Sequence, residues 1–295
     1  MGVVVVNHNL PAETIRCVEA VLGGTVRPVS IAVVDNGSSP DGVNAIARLE
    51  PGVEVLALGQ NLGFAAACNR GIRRVLEKGV RWVWLVNNDA VPDKGSLEAL
   101  LRVGDDLPRA GILSPVIRRL SDGGVWHQGA REPGPFGLLP KALGTVSGEA
   151  VPVDYVSGCA MLVRGEVFEA IGPFDEGFFA YYEELDFCRR ARAAGFGIFV
   201  VPSATVWHEV GATGRLIPAQ VAFHRARSRI RFYRRYGRPR LLVLPVVIAS
   251  TLSWAVKCLT RADLGGASAT LLGVWAGLRG DLRPDYGKWP GPGKR

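Results

Sequence analysis

Short apolar runs and amphipathic stretches alternate along the first third of the chain. The runs are rich in β-branched residues, which is typical of buried strands. The predicted strands cover residues 2–6, 29–35, 53–59 and 82–86. Between them, apolar residues recur at helical spacing, and the predicted helices cover residues 11–24, 42–50 and 62–79. Strands that alternate with helices predict an α/β fold with a mainly parallel sheet.

Polar residues follow three of these strands at the point where each strand ends. They are Asn7-His8-Asn9, Asp35-Asn36-Gly37 and Asn87-Asn88-Asp89. In open α/β sheets, ligands bind beyond the carboxyl ends of the strands, so the three clusters predict one shared site. Asp, Asn and Gly are also ordinary turn residues, and this second interpretation stays open on pattern alone.

A nicotinamide-binding Rossmann domain is the main competing interpretation. Asp35 ends the second strand, where a ribose-binding acid would lie. Such a domain needs Gly-x-Gly-x-x-Gly directly after the first strand. The sequence at 7–13 is NHNLPAE, which contains no glycine. The dehydrogenase class is therefore excluded.

After residue 95 the alternation loosens. The stretch at 121–144 is rich in Gly and Pro, and we expect a long, mobile and functional loop there. A strand followed by a helix is predicted within 153–172, a helix at 183–195 and a further buried strand at 196–202.

Three carboxylates crowd into the first turn of the last predicted helix, namely Glu183, Glu184 and Asp186. Acidic residues at a helix N-terminus are stabilised by the macrodipole, and Asp186 is also spaced to pair with Arg189 or Arg190. The cluster is equally a candidate for general acid–base chemistry. Both interpretations stay open at this segment.

Composition narrows the class of protein. Apolar residues make up 48% and charged residues 21% of the chain, which indicates a folded protein and excludes a disordered one. The five cysteines are scattered without a Cys-x-x-Cys pair, which favours a reducing compartment over a zinc or disulfide framework. The first residues, MGVVVVNHN, match neither a secretory signal nor the myristoylation pattern, so we expect a cytoplasmic location.

The net charge of +8 is concentrated in one segment. Residues 215–240 hold nine arginines and no acid, and the rest of the chain is close to neutral. This segment is a predicted helix with one apolar stripe, formed by Phe223, Ala226, Ile230 and Tyr233. The next segment, 241–256, has no charge, but it is shorter than a bilayer span and contains Pro245.

Three functions compete for the basic helix: binding a nucleic acid, lying on an anionic membrane, or serving as a solvated face. An apolar helix directly after it favours the membrane surface. Packing of the segment on the rest of the protein is the alternative. We therefore expect a membrane-associating helical segment and no nucleic-acid partner.

Four stretches together resemble glycosyltransferase family 2, which has the GT-A fold. They are VVVVNHN, VVDNGSS…NLGFAAACNRGI, WLVNNDAVP and the long run from GCAMLVRGEVFEAIGPFDEGFFAYYEELDFCRR to VWHEVGATG. They run in order over residues 3–214, and they look most like bacterial rhamnosyltransferase-like members that build cell-surface polysaccharide. The resemblance implies a catalytic domain at 1–214 with a Rossmann-like, mainly parallel sheet, followed by the helical segment at 215–295.

The resemblance also implies a metal site. Family members carry an Asp-x-Asp element that holds Mn²⁺ or Mg²⁺ against the diphosphate of a nucleotide sugar. The matching residues are Asn87-Asn88-Asp89, so Asp89 is the retained carboxylate and Asn87 offers only a carbonyl oxygen. His208 matches the family's metal-ligand histidine. The metal ligands implied here are Asp89, His208 and Asn87.

Catalytic and nucleotide-binding roles carry over in the same way. The family's base lies in an acidic pair that matches Glu183-Glu184, so Glu184 is the implied base, with Asp89 as the second catalytic residue. Glu183 and Asp186 are implied on the acceptor side, and Asp186 is the second candidate for the base. The implied nucleotide-binding residues are His8, Asn9, Asp35, Gly63, Asn69 and Asn88.

The implied reaction is an inverting sugar transfer from a dTDP-rhamnose-like or UDP-sugar donor to a cell-surface glycan or polyprenyl-linked acceptor. We expect the protein at the inner face of the cell membrane. Two departures from the family pattern, Asn87 and Glu184 in place of Asp, keep an alternative open. In that alternative the chain is a catalytically weak nucleotide-sugar-binding or scaffold protein of the same fold.

Overall fold

The computed structural model describes residues 1–47, 49, 52–132, 141–211 and 218–280. The strands within these residues are β1 (Gly2–Asn7), β2 (Ser30–Asp35), β3 (Val53–Ala57), β4 (Trp82–Asn87), β5 (Ala90–Pro92), β6 (Ala110–Arg119), β7 (Val125–His127), β8 (Ala130–Arg131), β9 (Lys141–Ala142), β10 (Val151–Pro152), β11 (Ala160–Arg164) and β12 (Gly197–His208). The helices are α1 (Pro11–Leu22), α2 (Pro40–Ile46), α3 (Phe64–Leu76), α4 (Ser96–Asp106), α5 (Gly165–Ile171), α6 (Glu183–Ala193), α7 (Pro218–Tyr236), α8 (Arg240–Leu259) and α9 (Leu264–Arg279).

Ten of the strands form one mixed sheet in the order β10-β12-β6-β11-β4-β1-β2-β3, with β5 beside β12 and β7 beside β6. The half made of β3, β2, β1 and β4 is parallel, and β6 and β12 are also parallel to each other. Strand β11 runs antiparallel between β4 and β6 and joins the two parallel groups. The predicted α/β architecture is confirmed.

Helices cover both faces of the sheet, and the alternation along the strands explains this. Val4 of β1 belongs to one hydrophobic cluster, whereas Val3 and Val5 belong to another on the opposite face. Successive strand residues point to opposite faces, so a continuous apolar run can only be buried when both faces are covered.

Helix α4 and strand β6 lie in the region where the sequence pattern had loosened, and neither was predicted. Leu97, Leu100 and Val103 of α4 are buried at helical spacing. Strand β6 contains Pro115, which argues against a central strand. The register shows why the proline is tolerated, because Pro115 lies next to an irregularity in β12 between Val201 and Thr205.

The stretch 121–144 is only partly the loop that was expected. Strand β7 pairs with β6 through Ile117 and His127, and β8 pairs with β9. Residues 133–140 lie outside the described residues. Part of the predicted loop is therefore held against the central sheet.

The three C-terminal helices enclose a third hydrophobic cluster. The apolar stripe of α7, including Ala226, Ile230 and Tyr233, packs there against Phe178 and Leu185. The stripe predicted for the basic segment is thus covered by protein, and packing on the first 214 residues, the alternative interpretation, holds for α7. The exposed large apolar side chains of the C-terminal helices lie instead on α8 and α9.

Candidate active site

The carboxyl ends of β1, β2 and β4 lie side by side at one edge of the sheet. The strands are parallel, and their register places Asn7 opposite Asp35 and Val6 opposite Asn87. Strand β12 reaches the same edge, because His208 pairs with Ala90 directly after the Asn87-Asn88-Asp89 segment. The three polar clusters predicted from the sequence therefore meet.

Asp89 and His208 are buried next to each other. His208 Nε2 lies 3.1 Å from Asp89 Oδ1, yet within the described residues neither atom forms a hydrogen bond. Asn87 Oδ1 is a third buried atom that lacks a hydrogen-bond partner in the described part of the chain. Buried polar atoms without partners are unfavourable and uncommon, so these three atoms indicate a ligand-binding position.

A divalent cation fits this set of donors. The set consists of a carboxylate oxygen, an amide oxygen and an imidazole nitrogen, and Mg²⁺ and Mn²⁺ complete such sparse shells with water and substrate phosphate. Within the described residues, no three side chains of His, Cys, Asp or Glu lie together in a way that could hold a metal ion. Because Asp89 is the single carboxylate in the set, most of the negative charge around a cation would have to come from a bound phosphate.

A hydrogen-bonded network connects this position to the ends of β1 and β2. Asn88 Nδ2 donates to Thr14 Oγ1 at 3.1 Å, and Thr14 Oγ1 donates to Asn7 Oδ1 at 2.8 Å. Asn7 Nδ2 then donates to Asp35 Oδ1 at 2.7 Å, while Asp35 Oδ2 accepts from the backbone N–H of Ser38 at 3.0 Å. Thr14, on α1, was not singled out from the sequence, because a lone threonine in a helix carries no signal.

His8 and Asn9 line the same edge and are also held within the protein. His8 Nδ1 lies 3.0 Å from the carbonyl oxygen of Asn36, and Nε2 lies 3.3 Å from Asn61 Nδ2. Since the first partner can only accept and the second can donate, this geometry matches a neutral imidazole with its proton on Nδ1. Asn9 has φ +56°, and its side chain accepts from the backbone N–H of Ser39.

Gly63 and Asn69 were predicted as nucleotide contacts, but the structure places both against the segment before the acidic pair. A Cβ at Gly63 would lie 2.6 Å from the carbonyl oxygen of Phe179, and φ there is +87°, so a glycine is needed. Asn69 bonds the backbone of Phe174 through both its amide atoms, at 2.9 and 3.0 Å, and also bonds Glu176. Asn69 acts here as a clamp between α3 and the loop before α6.

Glu183 and Glu184 begin α6 directly after two strained residues. Tyr181 and Tyr182 have φ of +67° and +72°, a conformation that is uncommon for bulky residues and that clusters at functional sites. Tyr155 Oη donates to Glu184 Oε1 at 3.0 Å, whereas Glu184 Oε2 and Glu183 Oε2 lack hydrogen-bond partners within the described residues. Burial raises the pKa of both carboxyl groups, and the charge of Glu184 raises that of Glu183 further.

Asp186 has a different environment from the acceptor-side position that was expected. It is fully buried and accepts from Arg190 Nε at 2.8 Å and from Tyr236 Oη at 2.6 Å, with Arg235 at 3.1 Å. The pairing with Arg190 is one that the sequence spacing allowed. Asp186 therefore anchors α7 to α6, and both its oxygens have partners within the protein.

Aromatic rings connect the metal position to the acidic pair. The ring centroids of Trp126 and His208 are 4.7 Å apart, and those of the neighbouring His127 and Tyr155 are 5.4 Å apart. Tyr155 in turn donates a hydrogen bond to Glu184. Burial lowers the pKa of His127 to about 4, so this ring is neutral at physiological pH. The sequence predicts no role for His127, because its position in the Gly- and Pro-rich stretch at 121–144 is the only feature that points to function.

The C-terminal segment also reaches this region. His224 of α7 stacks on Phe179 with ring centroids 4.2 Å apart, and Phe179 contacts Gly63. Burial, and secondarily the charge of Arg227, lower the pKa of His224 to about 3. Helix α7 therefore packs against the segment that precedes the acidic pair.

Comparisons with known proteins agree with this arrangement. The model of the family described as glycosyl transferase family 2 matches residues 2–172. N-acetylglucosaminyl-diphospho-decaprenol L-rhamnosyltransferase of Mycobacterium tuberculosis is 33% identical over an alignment of 249 residues, and the match covers 76% of this chain and 81% of that protein. Galactofuranosyltransferase GlfT1 of the same organism is 28% identical over an alignment of 229 residues, and the match covers 71% of this chain and 70% of that protein.

A solved structure shares the fold. The crystal structure of GalNAc-T7 with UDP, GalNAc and Mn²⁺ matches with a TM-score of 0.64 at 16% identity. The match covers 92% of this chain and 53% of that one. At this level of identity the likeness concerns the fold alone.

Proposed function

The chain belongs to glycosyltransferase family 2 and has the GT-A fold, and we propose that it performs an inverting sugar transfer. The donor in this proposal is a nucleoside-diphosphate sugar, and the acceptor is a hydroxyl of a lipid-linked glycan. The observation that carries the proposal is a set of buried atoms that have no hydrogen bond within the described part of the chain. They are Asn87 Oδ1, Asp89 Oδ1 and His208 Nε2 at the strand ends, together with Glu184 Oε2. These are the atoms that the reaction needs.

Glu184 serves as the general base. Tyr155 holds Oε1, which leaves Oε2 to take the proton of the acceptor hydroxyl. As the acceptor oxygen bonds to the anomeric carbon, the bond from that carbon to the diphosphate breaks, and the proton ends on Glu184. A carboxylate whose pKa is raised by burial is a stronger base than an exposed one, which suits this role.

Asn87, Asp89 and His208 would hold a divalent cation. When bound, such an ion offsets the charge that develops on the leaving diphosphate. The chain itself positions the ligands: β4 ends at Asn87, and the pairing of β12 with β5 brings His208 to Asp89. The network from Asn88 through Thr14 to Asp35 holds the nucleotide-binding edge in register with the metal ligands.

Donor and acceptor classes follow from the relatives. One relative is named as a rhamnosyltransferase acting on a diphospho-decaprenol acceptor, which supports a dTDP-rhamnose-like donor and a polyprenyl-linked acceptor for this chain. A UDP-sugar is the second donor class. A lipid-linked acceptor also supports a peripheral location at the inner face of the cell membrane.

Calorimetry with the full chain tests the proposal. UDP, dTDP and GDP are titrated in turn with Mn²⁺, Mg²⁺ or EDTA. We expect one nucleotide to bind, and EDTA to weaken its binding. Binding that EDTA leaves unchanged would remove the metal from the proposal. Absence of binding by every nucleotide would contradict the donor class and favour a scaffold role instead.

A further inference from the structure

Five arginines surround a cavity between the C-terminal helices. The cavity has a volume of about 590 Å³. Four of the arginines lie on α7 and the fifth begins α8, and they are Arg227, Arg231, Arg234, Arg235 and Arg240. The remaining lining residues are uncharged and come from α8, α9 and the residue after α9. No residue assigned to the active site lines the cavity.

Two carboxylates among the described residues pair with the arginines of this cavity. Asp175 accepts from Arg231 and Arg235, both at 3.0 Å, and Asp186 lies 3.1 Å from Arg235 but is shared with Arg190. Arg234 donates to the carbonyl oxygen of Gly277 at 2.8 Å, which is not an anion.

One further cation lies at the mouth of the cavity. Arg240 is exposed and has no ion pair with another described residue. Among the described residues, and leaving Arg227 aside, the lining arginines therefore outnumber the carboxylates that pair with them, and their planar guanidinium groups match phosphate.

Apolar side chains are exposed immediately beside the cavity. Leu241 and Leu242 follow Arg240 and are 89% and 60% exposed, while Trp275 and Leu278 flank the lining residues of α9 and are 51% and 38% exposed. Helix α8 is also the one helix among the described residues that is long and apolar enough to cross a membrane, with 22% of its most apolar part buried. At a bilayer surface, phosphate headgroups lie directly outside the acyl chains. Arginines beside exposed leucines and a tryptophan match this order of groups.

We propose that this arginine cavity binds the phosphate headgroup of an anionic phospholipid, while Leu241, Leu242, Trp275 and Leu278 enter the acyl boundary. The proposal goes beyond sugar transfer, because it concerns a second site that contains no catalytic group. Phosphate could also come from the lipid-linked acceptor. Bulk phospholipid is the favoured source because none of the active-site residues lines the cavity, and the exposed apolar residues around it match a membrane surface.

Vesicle co-sedimentation of the full chain without nucleotide tests this proposal. Three vesicle types are compared. They consist of phosphatidylcholine alone, phosphatidylcholine with phosphatidylglycerol, and phosphatidylcholine with a trace of polyprenyl phosphate. We expect binding only to the phosphatidylglycerol vesicles, and we expect millimolar pyrophosphate to compete with it. Arg240→Gln should weaken the partition about fivefold, and Arg234→Gln with Arg240→Gln should weaken it further.

The matched control is Arg261→Gln, which removes the same charge from an exposed position two residues after the far end of α8, outside the cavity lining. It should change the partition less than Arg240→Gln does. Equal losses in both variants would overturn the proposal, because they would indicate diffuse surface charge. Equal binding to phosphatidylcholine vesicles, or binding that needs polyprenyl phosphate, would also overturn it.

Two further measurements distinguish a loss of lipid binding from misfolding and from a loss of nucleotide binding. Arg240 is exposed, so Arg240→Gln is expected to keep the thermal unfolding transition of the parent protein even if the double variant does not fold. Nucleotide calorimetry on Arg240→Gln should match the parent protein. A failed lipid experiment with intact nucleotide binding would therefore overturn the cavity proposal and leave the proposed function untouched.

Discussion

Two halves of the same sheet edge are built in opposite ways. At the ends of β1 and β2, Asp35 has hydrogen-bond partners for both its oxygens, supplied by Asn7 and Ser38. At the ends of β4 and β12, Asp89 and His208 have atoms within 3.1 Å of each other that form no hydrogen bond with any described residue. One half is satisfied by the protein itself, and the other leaves its donors and acceptors for a ligand.

This difference separates positioning from chemistry. A satisfied buried network is rigid, so the part of the edge formed by β1 and β2 is shaped before any ligand arrives. Unpartnered buried groups are unfavourable to the fold, and proteins retain them where a ligand or reaction needs them. The acidic pair follows the second pattern, since Glu184 has one oxygen held by Tyr155 and one without a partner among the described residues.

The largest expected effect is on catalysis at the unsatisfied half. Glu184→Gln should lower the rate of sugar transfer by about 10²-fold or more, because the amide cannot take the acceptor's proton. Nucleotide binding measured by calorimetry should stay unchanged. The control is Glu166→Gln, an exposed residue in the first turn of α5, which should keep full activity. Full transfer activity in Glu184→Gln would refute the assignment of the base.

The next effect concerns the metal position. Asp89→Asn removes the one charged oxygen of the candidate ligand set, and we expect the Mn²⁺-dependent part of nucleotide affinity to fall at least about tenfold. Asp93→Asn is a matched control, because Asp93 bonds Trp207 on the nearby surface and not the site. Calorimetry with and without EDTA measures both variants. Identical metal dependence in the Asp89→Asn and Asp93→Asn variants would place the cation elsewhere.

Substitutions in the hydrogen-bonded half of the edge should change the stability of the protein. Thr14→Val keeps the shape of the side chain but leaves Asn7 Oδ1 and Asn88 Nδ2 each without one partner. We expect the free energy of unfolding to fall by about 1–3 kcal/mol. Thr25→Val, at an exposed position, should change it much less. Urea denaturation measures the difference, and an unchanged midpoint in Thr14→Val would show that the network does not stabilise the fold.

The pH dependence of stability should distinguish the acidic pair from the partnered carboxylates. The pKa of Glu183 is raised above its ordinary value of 4.5, so the folded protein binds this proton more tightly than the unfolded chain does. The stabilisation is therefore complete below pH 4.5 and is lost as the pH rises through the folded pKa. Glu183→Gln should flatten this decline in thermal unfolding recorded in EDTA. An equally steep decline in the variant would show that protonation of Glu183 does not cause the pH dependence of stability.

The smallest effect is expected from restoring a carboxylate at the end of β4. Asn87→Asp adds a negative charge beside Asp89, and it should strengthen Mn²⁺ binding severalfold while lowering the stability of the metal-free protein. The two carboxylates repel each other without a cation, and the cation relieves that repulsion. Metal titration and thermal unfolding in EDTA measure the two changes. A variant that binds Mn²⁺ no better would indicate that Asn87 Oδ1 is not a ligand.

Much of the architecture was readable from local pattern. Strands β1 to β4 and helices α1, α3 and α6 were predicted because their apolar periodicity is strong and their ends carry turn or capping residues. The joining of three polar clusters also followed, since parallel strands bring their carboxyl ends to one edge. Strand β6 was missed, because Pro115 is compatible with a strand only beside the irregularity in β12, and that irregularity is a tertiary feature.

The sequence by itself determined the fold class, the strand-end clusters and the segment that holds the acidic pair, because each depends on residues close together along the chain. Only the tertiary structure decided which polar atoms are satisfied. It placed Asp186 and Asn69 in internal bonds, brought Trp126 and His127 to the site, and buried the stripe of α7. Hydrogen-bond satisfaction depends on partners that are distant in sequence, such as Tyr155 for Glu184, and local periodicity carries no information about them.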